Sequence, residues 1–175
     1  MRALVALVFC LALSAPLGAQ KEKREPLTEA QQDQIAEYGI DPVARVNLYV
    51  KFLNEYADNI RVLIKHSQSA GPARRLDDEL QDFAALLDEL GDNLDTYSDR
   101  KADIRMSLKG LNEGIARWQG VLHDLPSQPA FELALKEALD SAGDLADQAR
   151  QLSADQEAYF KAHPDEKGQD RYEPK

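Results

Sequence analysis

LDDELQDFAALLDELGDNLDTYSDRKADIRMSLKGLNEGIARWQGVLHDL, from Leu76 to Leu125, is the stretch that decides the fold. Apolar residues recur in it by steps of four and three: Leu76, Leu80, Phe83, Leu87, Leu90, Leu94 and Tyr97, then Ile104, Leu108, Leu111, Ile115, Trp118, Leu122 and Leu125. Lys101 alone breaks the line, and it breaks it in phase. A seam of period 3.5 predicts helix laid along helix, an all-α, elongated antiparallel bundle or coiled coil.

The neighbouring segments follow the same rule. Asp41-Pro42 predicts a helix start, a capping carboxylate followed by a proline whose missing N–H costs nothing at the first helical position. From there to about Ser67 the line is Val46, Val50, Leu53, Ala57, Ile60 and Ile64, with Tyr49, Tyr56 and Leu63 beside it. Two adjacent lines suit a helix touching two neighbours. Ser67 to Pro72 is a turn, as is Ser127-Gln128-Pro129. The last helix, from about Pro129 to Ala162, carries Phe131, Leu135, Ala138, Ala142, Leu145, Ala149, Leu152, Gln156 and Tyr159, widened by Leu139, Ala146 and Phe160. Upstream, Thr28 with Gln31 three residues on forms a capping box for a short helix closed by Gly39, which Ile35, Tyr38 and Ile40 pin to the body.

Thr96 to Arg100 contains neither Gly nor Pro, and a loop would be expected to throw the repeat out of phase. The preferred reading is therefore one continuous central helix, about 50 residues and about 75 Å long. That gives three long helices plus the short N-terminal one, with the Asp41 helix on its first half and the final helix on its second. Lys101 then lies mid-seam with its stem packed, and the thin ends make a homodimer possible. The alternative is a four-helix up-down bundle with a break near Ser98.

The two ends read differently. Met1-Arg2, the apolar run Ala3–Leu13 and the small residues Ser14–Ala19 form a secretory signal peptide over residues 1–19. The run is shorter than the roughly 20 residues that span a bilayer. Cys10, the single cysteine, lies inside it and leaves with it, so no thiolate chemistry is expected in the mature chain. Residues 20–26 form a flexible leader, 27–163 the helical domain and 164–175 a polar tail. The expected localisation is exported, periplasmic or extracellular.

The chain of 175 residues has a formal net charge of −10, which repels phosphate backbones and anionic headgroups. No nucleic acid and no stable membrane insertion after signal cleavage are expected, and the expected partner is a protein. His66, His123 and His163 each fall near a helix end, where the dipole favours a cation. None has the Glu-x-x-His spacing of di-iron bundles, and Met106 with a histidine is an outweighed haem pairing. Asp88, Asp92, Asp95 and Asp99 share one face opposite the seam and read as a solvated strip rather than a cation site. No nucleophile elbow, phosphate loop or zinc helix motif occurs. No catalytic, cofactor or metal residue is assigned and no cofactor is called for. Gly110, Gly114 and Gly120, inside the helix, are read as points of close approach to the Ala-rich last helix.

Leu27-Thr28-Glu29-Ala30-Gln31 resembles the Leu-Thr-x-x-Gln motif of small exported all-helical periplasmic stress chaperones, and Leu152-Ser153-Ala154-Asp155-Gln156 resembles a degenerate second copy. The resemblance implies, as an alternative function, a binder of unfolded proteins. Those chaperones are often basic and Met-rich, whereas this chain is acidic with two Met. The main expectation is a non-enzymatic interaction or scaffold module of the cell envelope.

Overall fold

The computed structural model describes residues 25–39, 41–65 and 70–166. The signal segment with Cys10, the leader before residue 25, Ile40, His66, the turn at 67–69 and the tail beyond 166 lie outside the described residues. Five helices follow in order: α1 (Glu29–Glu37), α2 (Pro42–Ile64), α3 (Ala70–Asp99), α4 (Arg105–His123) and α5 (Glu132–Ala162). Among the described residues there is no strand.

The central seam is therefore two helices, and the four-helix alternative is the correct architecture. The physical reason is the end of α3. The Ala102 N–H donates to the Tyr97 carbonyl (2.9 Å) and the Lys101 N–H to the Ser98 carbonyl (3.1 Å). This is the Schellman pairing, which needs a left-handed residue at its centre. Lys101 takes that place with φ 55°, where glycine is the usual occupant. Instead of lying in the seam with its stem packed, Lys101 is exposed at the turn. The repeat resumes in phase because Ile104, although a turn residue, is itself core; it is fully buried, as is Ala102 next to the repeat position.

α2 packs on α3 and α4, and α5 packs on the same two helices. Arg45 meets Asn93, Tyr49 meets Glu89 and Asn59 meets Glu79, so α2 and α3 form an antiparallel hairpin. Asn112 meets Ser153 and Gln119 meets Ala142, so α4 and α5 form a second one. The two hairpins close on each other through α2 with α4 and α3 with α5, which leaves consecutive helices α3 and α4 across a diagonal. The wide stripe expected of α2 thus has its two neighbours. Phe52, which the seam reading omits, is fully buried in it.

Local signals set the first two helix starts. Thr28 and Gln31 make the capping box, with the Gln31 N–H donating to Thr28 Oγ1 (3.3 Å) and the Thr28 N–H to Gln31 Oε1 (2.9 Å). Asp41 Oδ1 accepts from the Ala44 N–H (3.0 Å), with Pro42 leading α2. α1 stops at Glu37 and Gly39 is not left-handed, so the expected closing glycine is not what ends it. Tyr38 is exposed rather than pinned, and Leu27 and Ile35 anchor this corner instead. The Tyr56 hydroxyl donates to the Pro26 carbonyl and ties the segment that precedes α1 to α2.

The interior glycines correct a second expectation. A methyl group on Gly110 or Gly120 would meet nothing, so neither marks a close approach to α5. At Gly114 it would come within 2.8 Å of the Trp118 ring one turn on, and that ring is fully buried. Gly114→Ala is therefore expected to destabilise the fold by about 1–3 kcal/mol and to shift the Trp118 fluorescence. Gly110→Ala and Gly120→Ala are each expected to stabilise by about 0.5–1 kcal/mol, read by chemical denaturation.

Candidate functional site

The place where the chain departs from regular helix packing is the turn Arg100–Ile104, gripped by the last turns of α5. Gln156 sits on the core line of that helix and is only 5% exposed. Its Nε2 donates to the Ala102 carbonyl (2.7 Å), and the Ile104 N–H donates to its Oε1 (3.1 Å). One amide thus satisfies two backbone groups that no helix serves. The Ser107 hydroxyl donates to the Ile104 carbonyl (2.8 Å). Outside this clamp, the Arg105 guanidinium lies 4.5 Å from the Phe160 ring centroid, and Lys101 Nζ lies 5.8 Å from that of Tyr159. Asp103 holds Arg105 through both carboxylate oxygens (2.9 and 2.7 Å), which lowers the Asp103 pKa below the ordinary carboxylate value. A cleft of about 30 Å³ beside the turn is bordered by Ser98, Asp155, Gln156 and Tyr159, room for a water and too small for a metabolite.

The other inward polar groups also bridge helices. Asn54 Oδ1 accepts from Trp118 Nε1 (3.0 Å) and from Arg117 (2.9 Å), and Arg117 continues to Asp58 (2.6 Å), joining α2 to α4. Tyr49 donates to Glu89 (2.7 Å) while Asn93 donates to the Tyr49 oxygen (3.3 Å), joining α2 to α3. Burial, then the Glu89 hydrogen bond and charge, push the Tyr49 hydroxyl well above the ordinary tyrosine pKa. Burial, then the charges of Asp82 and Glu79, push Tyr56 up to about 12.

The remaining sequence candidates are placed as follows. Asp88, Asp92, Asp95 and Asp99 are all exposed, the solvated strip expected, with Asp95 accepting from Gln148 (2.6 Å). His123 and His163 are exposed at the ends of α4 and α5, and His163 stacks on Tyr159 with ring centroids 4.4 Å apart. Met106 is 88% exposed. Among the described residues no three His, Cys, Asp or Glu side chains are grouped to hold a metal ion, and no helix is long and apolar enough to cross a membrane. A shallow, open depression along α5 against α4 is lined by Gln119, Asp140, Gly143, Asp144, Asp147 and Arg150.

Sequence reasoning places Gln156 on the seam without seeing what it does. Its signal is an amide in a line of small and apolar residues, facing a seam position, Lys101, that is also polar. Both copies of the chaperone-like motif have structural work here, Thr28 with Gln31 as a helix cap and Gln156 as the clamp. Comparison of the chain with protein-family models, curated proteins and solved structures returned no match.

Two outcomes follow from this geometry. A lysine in the left-handed region costs roughly 1–2 kcal/mol, partly offset by glycine's larger chain entropy. Lys101→Gly is accordingly expected to stabilise the protein by about 1 kcal/mol in denaturant titration. The Tyr56 hydroxyl has a higher pKa in the folded chain than its ordinary 10.0, so the folded state binds more protons above that pH. Its contribution is complete below pH 10.0 and is lost as pH rises through about 12, and Tyr56→Phe is expected to flatten the alkaline fall in melting temperature.

Proposed function

We propose that this chain is an exported, non-enzymatic helical protein that works through its surface, as a protein-binding or scaffold module of the cell envelope. What carries the reading is the allocation of polar groups. The inward ones, Gln156, Asn54, Asn93 and Tyr49, bond from helix to helix. Apart from Arg45, Glu89 and Arg117, which take part in those half-buried bridges, charged side chains line an acidic exterior that includes the Asp88–Asp99 strip and the depression along α5. A chain built this way presents its chemistry outward, and its charge favours a partner with a basic face. The signal-like residues 1–19 support export. Among the described residues the exposed large apolar side chains are Tyr38, Val62, Met106 and Leu133, little apolar surface for broad capture of unfolded clients, which supports a stable partner better.

The immobilised protein is expected to retain one defined envelope protein at low ionic strength, and retention should weaken as salt rises past about 0.1 M, where the Debye length is about 10 Å. Suppression of client aggregation at near-stoichiometric ratio, without such retention, would favour the chaperone alternative and overturn the scaffold reading.

A further inference from the structure

The body is two antiparallel hairpins, α2–α3 and α4–α5, joined only by Arg100–Ile104, and they meet through α2 on α4 and α3 on α5. Every one of those contacts is available equally from a second copy of the chain. We propose that the protein exchanges its α4–α5 hairpin with a second copy by straightening Arg100–Ile104 into helix, and that Gln156 is the residue that holds the monomer closed.

Three observations converge on the turn. Lys101 is the one non-glycine residue with positive φ among the described residues, so the closed form holds backbone strain where the open form has none. No Gly or Pro lies between Gly91 and Gly110, and the steps of four and three run from Tyr97 through Lys101, the one polar member, to Ile104 in phase, so the same residues suit an unbroken helix. A short strained connection between units that can trade places is the arrangement that invites swapping, and the exchanged dimer closes on a two-fold axis.

Against these stands the clamp. In a straight helix the Ala102 carbonyl and the Ile104 N–H find partners one turn away along the chain. The Gln156 amide, buried on the core line, would then lose both of its bonds and stay buried. Closing the turn satisfies the amide, and opening it strands the amide. The monomer is thus selected by one side chain against a backbone and a repeat that both favour the long helix.

Three substitutions separate these terms. Gln156→Met fills the site with no amide to strand. Lys101→Val, at an exposed position, is accepted by a helix and opposed by the left-handed region. Lys101→Gly relieves the strain that opening would release. After refolding purified protein at high concentration, light scattering on a sizing column reads the dimer-to-monomer ratio. Gln156→Met and Lys101→Val are each expected to raise it about tenfold or more over the unaltered protein, and Lys101→Gly to lower it. The dimers should persist on dilution and revert only when warmed towards unfolding, because exchange requires the hairpins to separate. The proposal is overturned if both Gln156→Met and Lys101→Val fold as monomers at every concentration, or if their dimers dissociate at once on dilution, as a surface contact would. Should Gln156→Met fail to fold, Lys101→Val decides alone.

Discussion

The side-chain amide of Gln156 joins the end of the chain to its middle. By accepting from Ile104 and donating to Ala102 it lets a turn lie inside the core with its backbone satisfied. Without such a partner, burying that turn would leave two peptide groups unpaired, each at a cost of about 1–3 kcal/mol. The turn in turn lets α4 cross to the far side of α3, so that each hairpin covers the apolar face of the other. The compact bundle therefore depends on one polar contact in an otherwise apolar seam.

The same repeat serves two geometries. Along α3 and α4 it supplies the core residues of a bundle, and through Lys101 it also spells a single long rod. Phase persists across the break because Ile104, a turn residue, is buried at the spacing a helix would give it, while the intervening repeat position, Lys101, is exposed and the buried residue beside it is Ala102. Periodicity reports which residues are buried, and it does not report whether the backbone between them is straight.

Inside the bundle, polar side chains act as staples. Asn54 accepts from the Trp118 indole, Glu89 accepts from Tyr49 while Asn93 donates to the Tyr49 oxygen, and Tyr56 holds the segment that precedes α1. These groups fix which helix faces which, a choice that apolar contact alone leaves open. The exterior is left acidic and polar, and the functional reading rests on that exterior.

Alternating steps of four and three, a threonine–glutamine cap and an Asp-Pro start were sufficient, as sequence, to establish an all-helical chain with most of its core residues and most of its helix boundaries, though not Phe52, Leu86 or Val121. Those are local or periodic properties, set by which face is apolar and which side chain can reach a free N–H. The break at Lys101, the diagonal crossing of α3 to α4 and the role of Gln156 were decided only in three dimensions. The turn contains no Gly or Pro to announce it, and its stabilising partner lies more than fifty residues away along the chain. A lysine is held in a left-handed conformation there because a distant amide satisfies the backbone on either side of Asp103, and nothing within one turn of Lys101 carries that information.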